Sequence, residues 1–444
     1  MIDKKVLYGS LLEDNVPSKE LLSGCGTVAI PGTIKDRYIN LNITDDILSK
    51  HSLIIGGTGC GKTKLFYHFV SQIKKTMTKH DVMIIFDTKG DYYSKFATAE
   101  DLVIGNSPQF YSKSEKWNIF REILADGWEK ETYSLNTQEI CRSFFEENIS
   151  KTNNVFFPQA ASDLLSSLIC SYIRAAAEDE PPKGRSSIAV EHFYNDKLIE
   201  YLNTHSPAEI CYTLSHFSDN QSIISYIDGD TEQSQGVISE LHSVIRKLLV
   251  GVFANHGLFS MRDFIRKKGG RTLFIEYDMS IGKVLSPIYS ILFDLALKEA
   301  LGRQKSEGNV YLFCDEFRLL PLIQHIDDGV NFGRSLGVKI FAGLQSIEQL
   351  YEVYKKERGK NIAAGFSSIY AFKANDTSTR NFVRELFGKN ILLERFSNFD
   401  KKFENSRRDG YTVEDWDLID LNIGEAIVGL PFQKPFKMYF KEYK

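Results

Sequence analysis

The sequence of 444 residues lacks any apolar run near the ~20 residues that a helix needs to span a bilayer. Its most apolar stretches have the length of a strand. Residues 1–20 also lack the uninterrupted apolar segment of a secretory signal. We therefore expect a soluble, cytoplasmic protein with no direct insertion into a membrane.

Paired cysteines are also missing. The six cysteines are scattered along the chain, and no two of them have the CxxC spacing of a zinc site or a redox pair. The sequence therefore indicates neither a zinc site nor a disulfide framework, and it is typical of a reducing compartment.

A strong excess of one charge is absent as well. The net charge is −4, and 43% hydrophobic with 25% charged residues is ordinary for a soluble protein. This excludes a disordered or fibrous chain and a basic tail that binds nucleic acid by charge alone. The charge is uneven, however, because residues 131–250 contain 17 acidic and 8 basic side chains, a net charge of −9. The pattern indicates an acidic module within a mildly basic body.

Short apolar runs rich in β-branched and aromatic residues predict strands near both ends of the chain. They lie at 52–56, 81–87, 102–105, 271–278, 309–316, 338–344, 367–373 and 425–430. Helical patterns occur between them, for example at 62–78 and 285–302. Several runs are apolar on both faces, as in buried parallel strands, so the alternation predicts an α/β fold with a largely parallel sheet.

The stretch 119–265 has apolar residues at helical spacing and no convincing strand. Its polar segments 178–187 and 228–235 are predicted to be loops. We therefore predict an all-α domain of residues 119–265, inserted into an α/β domain that consists of residues 1–118 and 266–444.

The most specific signal is a complete G-x-x-x-x-G-K-T motif between a predicted strand and a predicted helix. Its residues are Gly56, Gly57, Thr58, Gly59, Cys60, Gly61, Lys62 and Thr63. In this context the backbone N–H groups cradle phosphates, Lys62 reaches the β- and γ-phosphates, and Thr63 is a ligand of Mg²⁺. The alternative is a glycine-rich turn that arises by chance.

A second signal is the acidic pair Asp315 and Glu316, which ends the predicted strand VYLFCDE. With a P-loop upstream, Asp315 would hold Mg²⁺ and its water shell, and Glu316 would polarise the attacking water. A helix cap or a solvated turn is the alternative.

Two further polar residues follow the acidic pair. Gln345 ends the strand VKIFAGLQ, where its amide could contact the γ-phosphate or the attacking water. Arg334 precedes Gly337 at a predicted helix end, where a cation is favourable.

A series of motifs then gives a resemblance to a known family. The P-loop, IIFDTKGDY, a large helical insertion, LFCDEFRLLPLI, GRSLGVKIFAGLQSIEQL and FKANDTSTRNFVRELFG occur in this order. The chain resembles the TraG/TraD-type coupling proteins of conjugation and type IV secretion, within the FtsK/HerA superfamily of P-loop ring ATPases. The resemblance extends from about residue 28 to the end. It implies a RecA-like motor domain with an inserted all-α domain.

The resemblance also implies roles for single residues. By position, Lys62 and Thr63 match Walker A, Asp315 and Glu316 match Walker B, Gln345 matches the sensor glutamine, and Arg334 matches an arginine finger for the neighbouring subunit. Asp87 and Lys89 match the family's D-x-K-G segment, for which a turn at a strand end is a sufficient explanation.

Two features of the sequence depart from the family pattern. Coupling proteins usually begin with transmembrane helices, and Cys60 stands where serine is common.

From these features we predict an ATP-driven DNA translocase of the conjugative coupling type, with ATP and Mg²⁺ as cofactors. It would form a homo-oligomeric ring, expected to be a hexamer, with DNA bound without sequence preference in the pore. The acidic insert would bind a basic protein partner such as a relaxase.

Two alternative functions remain at this point. One is a soluble HerA-like ATPase that works with a nuclease or another DNA-processing factor, for example in defence against mobile DNA. The other is an ATP-gated interaction protein with little hydrolysis.

Three basic clusters are candidates for the lining of the pore, although each is also compatible with a solvated surface. They are Arg266, Lys267, Lys268 and Arg271; Lys355, Lys356, Arg358 and Lys360; and Arg407 with Arg408. In a ring, each cluster would recur around one axis, so that even a modest cluster could make the pore positive.

Overall fold

The computed structural model describes residues 3–178, 193–304, 307–320, 322–397 and 403–444. The loop expected at 178–187 lies outside the described residues from position 179 onward. Within the described part of the chain, no helix is long and apolar enough to cross a membrane.

The strands are numbered in chain order. They are β1 (Asp3–Tyr8), β2 (Val28–Ile34), β3 (Arg37–Ile43), β4 (Ser52–Ile55), β5 (Val82–Asp87), β6 (Leu102–Ile104), β7 (Thr272–Glu276), β8 (Val310–Cys314), β9 (Val338–Leu344), β10 (Ser368–Phe372), β11 (Lys389–Ser397), β12 (Phe403–Tyr411), β13 (Glu425–Gly429) and β14 (Phe436–Phe440). Every strand predicted from an apolar run is present, with ends that differ by at most two residues.

The large sheet has the strand order β3-β2-β14-β13-β10-β4-β9-β8-β5-β7-β6. Its central strands β10, β4, β9, β8 and β5 pair in parallel, and every residue of these five strands is buried. Most of these residues are apolar, and the buried polar ones are Ser52, Asp87, Lys339 and Ser368. Burial on both faces explains why these strands are continuous apolar runs in the sequence. The predicted α/β class with a parallel sheet is confirmed.

The sheet also has an antiparallel side that the sequence did not predict. Strands β13, β14, β2 and β3 continue antiparallel from β10. Buried and exposed residues alternate along β14, and β2 alternates between buried and half-buried residues. One face of such a strand is less buried than the other, so its sequence contains polar residues and no apolar run. A separate three-stranded sheet has the order β1-β11-β12.

The chain forms two compact units. The first comprises Met1–Asp101, Lys268–Phe274 and Ala300–Lys444. Its helix Lys62–Thr76 packs against the parallel strands, because Phe69 lies 5.0 Å from Phe341 of β9 and 5.7 Å from Tyr370 of β10, measured between ring centroids. Its other helices are Lys19–Ser23, Asp45–Leu48, Asp91–Phe96, Ile326–Phe332, Glu348–Tyr354, Lys356–Ala364, Thr377–Phe387 and Asp415–Ile419.

The second unit comprises Leu102–Lys267 and Ile275–Glu299 and is largely helical. Its helices are Ile119–Ile123, Lys130–Lys151, Phe156–Glu178, Asn195–Thr204, Pro207–Ser215, Gln221–Ile224, Glu232–Leu248, Met261–Lys267 and most of Gly282–Leu301. Over the described part of 119–265, the structure contains helices and turns but no strand.

The loop predicted at 228–235 is shorter than expected. The helix Glu232–Leu248 begins inside it, because Thr231 and Ser234 form a capping box in which each side chain accepts a hydrogen bond from the other residue's backbone N–H. The polar residues that suggested a loop are therefore the first turn of a helix, where hydroxyl side chains satisfy free N–H groups. Only residues 228–231 remain outside a helix.

Candidate functional site

The glycine-rich segment forms a loop between β4 and the helix Lys62–Thr76. Gly61 precedes the helix with a φ of 111°, a left-handed conformation that glycine adopts without strain. A Cβ atom on Gly61 would also lie only 3.3 Å from the backbone of Gly424. The backbone therefore wraps tightly at the amino end of a helix, where free N–H groups and the helix dipole favour an anion.

Lys62 lies across this loop. Its Nζ donates hydrogen bonds to the carbonyl oxygens of Gly56, at 2.6 Å, and Gly57, at 2.9 Å. Only 7% of Lys62 is exposed, so the ammonium group is held close to the loop backbone rather than in solvent. The thiol of Cys60 is also directed at the loop, toward the carbonyl of Gly57.

Thr63 and Asp315 are in direct contact although they are distant in sequence. The Thr63 hydroxyl donates to Oδ2 of Asp315 at 2.6 Å, and the Tyr92 hydroxyl donates to the same oxygen at 3.0 Å. Burial raises the pKa of Asp315 above its ordinary value, and the two hydroxyl donors offset this only in part. Tyr92 was not predicted from the sequence. Burial and the nearby carboxylate raise its pKa well above the ordinary value, so it remains a donor.

Glu316 and Gln345 form a second pair. The amide Nε2 of Gln345 donates to Oε1 of Glu316 at 2.8 Å, and Oε1 of Gln345 accepts from the Thr58 hydroxyl at 3.2 Å. Gln345 thus connects the loop to the carboxylate. Arg318 lies 3.6 Å from the same carboxylate and was not singled out by the sequence.

These groups share one cleft of about 470 Å³. Its lining consists of Thr58, Gly59, Gly61, Lys62, Thr63, Lys64, Lys89, Asp315, Glu316, Gln345, Ile423, Gly424, Tyr439, Phe440, Lys441 and Glu442. Lys64 and the last six residues were not predicted as site residues from the sequence. The last six come from the turn before β13 and from the end of β14, and β14 has no apolar run that would have marked it.

The Asp87–Lys89 segment forms the turn after β5. The carboxylate of Asp87 accepts hydrogen bonds from the backbone N–H groups of Lys89, at 3.3 Å, and Tyr93, at 2.8 Å. Burial raises the pKa of Asp87. Asp87 therefore organises a turn at a strand end, and this turn brings Lys89 to the cleft, which Lys62, Lys64 and Lys441 also line.

Arg334 is not among the residues that line the cleft. It lies in the short turn Gly333–Leu336 before Gly337, with 54% of its side chain exposed. Its Nη2 lies 3.1 Å from Oδ1 of Asp46, which is also paired with Lys50. Lys50 and Arg334 together lower the pKa of Asp46. The structure thus separates Arg334 from the cleft of its own chain.

The three basic clusters are partly neutralised by acidic neighbours. Arg266 is paired with Asp126 and Glu299, Arg358 with Asp327, Lys360 with Glu357, and Arg408 with Glu394 and Glu414. An arginine that is held by carboxylates offers less charge to a phosphate than its sequence suggests. Lys355, Lys356 and Arg407 are exposed.

Structural comparison finds relatives that share the fold along nearly the whole chain. The conjugative coupling protein TrwBΔN70 aligns with a TM-score of 0.74 at 19% identity, over 99% of this chain and 94% of that one. TrwB in complex with the ATP analogue ADPNP aligns with a TM-score of 0.73 at 20% identity, over 99% and 95%. VirB4 of Thermoanaerobacter pseudethanolicus aligns with a TM-score of 0.57 at 13% identity, over 95% and 97%.

At these identities, the structural likeness establishes a common fold. No curated protein sequence matches the chain. The profile of the family described as the type IV secretion-system coupling protein DNA-binding domain matches residues 39–415, which is most of the chain. The resemblance to the coupling proteins that the motifs indicated is confirmed, and the chain belongs to the family of type IV secretion-system coupling protein DNA-binding domains.

Proposed function

We propose that this chain is an ATP-hydrolysing DNA translocase of the conjugative coupling type, acting at subunit interfaces of a homo-oligomeric ring that we expect to be a hexamer. One observation carries the proposal. A single cleft combines a P-loop lysine, a hydroxyl–carboxylate pair and a second carboxylate held by an amide, namely Lys62, Thr63 with Asp315, and Glu316 with Gln345. A site that only bound nucleotide would have no need of the last pair.

The pair of Thr63 and Asp315 fits a magnesium ion. A hydroxyl and a carboxylate are oxygen ligands of the kind Mg²⁺ prefers, and the two side chains already converge within 2.6 Å. TrwB has been solved with ADP and Mg²⁺. We assign Thr63 and Asp315 to hold the ion, which when bound neutralises part of the charge on the phosphates.

The other residues of the cleft have separate roles in phosphate binding and in activation of the attacking water. The backbone of Gly56–Gly61 and the Nζ of Lys62 bind the phosphates, and Lys62 exchanges its two carbonyl acceptors for phosphate oxygens. Glu316 orients a water molecule toward the γ-phosphate and accepts its proton, while Gln345 fixes the carboxylate. Arg334 acts in the cleft of the neighbouring subunit, which agrees with its exposure and with its absence from the lining of its own cleft.

DNA-stimulated ATP hydrolysis tests this function directly. We expect the purified chain to release phosphate from ATP and to do so faster with DNA. We also expect it to form a larger oligomer, measured by its mass in solution, when both ATP and DNA are present. DNA affinity should fall steeply with salt, because the contacts are to phosphates. Absence of hydrolysis in all of these conditions would favour the ATP-gated interaction protein. Hydrolysis without displacement of DNA would favour an ATPase that acts through a processing partner.

Replacement of Lys62 tests the phosphate cradle. Lys62→Ala should raise the Kd for ATP by about 10- to 100-fold, because a hydrogen bond to a charged group contributes roughly 1.5–3 kcal/mol. The matched control is Lys75→Ala, an exposed lysine on the same helix. Calorimetric titration with ATP measures both variants, and an unchanged Kd for Lys62→Ala would contradict the role of this lysine.

The inserted all-α domain of residues 119–265 is proposed to bind a basic protein partner such as a relaxase. Its stretch 131–250 has a net charge of −9, which repels the DNA backbone and favours a basic protein surface. Glu146 and Glu147 are less suitable test sites than the sequence suggested, because Glu147 is paired with Lys151 and Lys247, and Glu146 with Arg142.

The exposed loop 228–231 is a better place to test this domain. Reversal of charge in Asp228→Lys with Asp230→Lys should weaken partner binding by about two- to tenfold, since each exposed charge contributes up to about 1 kcal/mol. The ATPase rate without partner should be unchanged. The double variant Asp228→Asn with Asp230→Asn, which removes the charges without reversing them, should raise the Kd for the partner by less. A surface binding assay measures both double variants. Equal effects of the two pairs, or a loss of DNA binding instead, would contradict this role.

A further inference from the structure

The nucleotide cleft has two distinct ends. At one end Gln345 connects Thr58 of the loop to Glu316. At the other end the backbone N–H of Gly424 donates to the carbonyl of Cys60 at 2.9 Å, and Lys64 pairs with Glu442 at 2.9 Å. The residues Ile423–Gly424 and Tyr439–Glu442 therefore form a wall on the Lys64 side of the loop.

The direction of a bound nucleotide follows from the roles of the loop. A P-loop cradles the phosphates with its backbone, and Thr63 with Asp315 would hold a metal ion that neutralises phosphate charge. The γ-phosphate thus lies on the side of Asp315 and Glu316. In the large sheet, β14 lies on one side of β4 and β8, which precedes Asp315, lies on the other. The nucleoside is therefore expected to leave the cradle toward the side of β14, which contains Tyr439.

Tyr439 has a fixed position on that wall. Its strand β14 is paired on both sides, with Glu425 of β13 and Thr33 of β2 opposite Tyr439. Its ring packs over Gly424, where a Cβ atom would approach the ring carbon Cε2 to 2.9 Å, and Gly424 has a φ of 84°. Despite these constraints 41% of Tyr439 is exposed, and the neighbouring Ile423 is 76% exposed. Tyr439 lines the nucleotide cleft and also a second cavity beside Thr33 and Glu425. An aromatic ring that is held in position by its strand and keeps exposed surface is suited to stacking.

We propose that Tyr439, with Ile423 beside it, is the platform on which the nucleoside base stacks. The proposal rests on the proposed function, since it requires that the cleft binds a nucleoside triphosphate. Stacking on an aromatic ring is tolerant of the base, because every base has a π-face. The carboxylate of Glu442 is engaged by Lys64. The platform is therefore expected to bind adenine and guanine nucleotides with similar affinity.

The test compares ligands with and without a base on the full chain. Calorimetry would measure Kd for a non-hydrolysable ATP analogue, the matching GTP analogue and inorganic tripolyphosphate. Tyr439→Ala should raise the Kd of both nucleotides by about 5- to 100-fold and leave that of tripolyphosphate unchanged. Tyr439→Phe, which keeps the ring, should bind like the wild type. Tyr38→Ala removes an exposed tyrosine of β3 outside the cleft and is the matched control.

Each other outcome has a defined meaning. Wild-type affinity of Tyr439→Ala for both nucleotides would overturn the platform, as would an equal loss of tripolyphosphate binding or an effect on only one of the two bases. Failure of the wild type to bind any of the three ligands would contradict the proposed function instead. If Tyr439→Ala does not fold, Tyr439→Leu gives the same comparison, since it keeps an apolar side chain over Gly424 and removes the ring.

Discussion

Replacement of Arg334 by alanine is expected to lower ATP turnover by about 10³- to 10⁵-fold, the range for a finger that stabilises the transition state of phosphoryl transfer. The side chain is half exposed, does not line the cleft of its own chain, and makes only a surface ion pair with Asp46. Loss of such a pair costs at most about 1 kcal/mol. The fold of Arg334→Ala should therefore be intact, and steady-state phosphate release measures the loss.

The matched control for this prediction is Asp46→Asn. It removes the ion pair with Arg334, together with the one between Asp46 and Lys50, and keeps the guanidinium group, so its turnover should stay close to that of the wild type. A mixture of Arg334→Ala with Glu316→Gln should regain activity, because some interfaces then combine an intact finger with an intact carboxylate. Normal turnover of Arg334→Ala together with a lowered melting temperature would show instead that the arginine only stabilises the end of its turn.

Glu316→Gln is expected to retain ATP binding and to lose turnover by about 10²- to 10⁴-fold, the range for a positioned general base. A glutamine occupies the same volume and can still pair with Gln345, but it accepts no proton from water. Binding of phosphates is a ground-state contact, whereas activation of water contributes in the transition state. The loss should thus appear in kcat, with little change in Kd for ATP.

Calorimetry and single-turnover phosphate release together separate these two quantities. Glu348→Gln, an exposed carboxylate shortly after Gln345, is the matched control and should hydrolyse ATP like the wild type. Wild-type turnover of Glu316→Gln would remove this residue from the site. A parallel loss of binding and turnover would point to a collapsed cleft rather than to a missing base.

The predictability of the fold followed the burial of each strand. Strands such as β5 and β9 are buried on both faces and were recognisable as continuous apolar runs. Strand β3 has the sequence RYINLNI and is exposed along much of its length, so neither an apolar run nor strong alternation marks it. The small sheet β1-β11-β12 was missed for the same reason, since its strands contain many charged residues.

The predictability of the site depended on sequence distance. The phosphate loop is one continuous motif, and Asp315 with Glu316 ends a recognisable strand, so both could be assigned from the sequence. Tyr92 and Tyr439 could not, because Tyr92 contacts Asp315 and Tyr439 shares the cleft with the phosphate loop, and both partners are distant in the sequence. Arg334 could be named only through the family resemblance, since an exposed cation before a glycine is common in any fold.

The position of β14 constrains the order in which this protein can fold. The strand lies between β13 and β2, so that residues 436–440 join an early hairpin, β2 with β3, to the rest of the large sheet. During synthesis, the edge of β2 that pairs with β14 stays unpaired until residues 436–440 have been made. Contacts of such long sequence separation form slowly, and unpaired edges invite aggregation. A fragment that stops before residue 436 therefore exposes two strand edges at once, the edge of β13 and the edge of β2 that β14 would cover, and we expect it to aggregate.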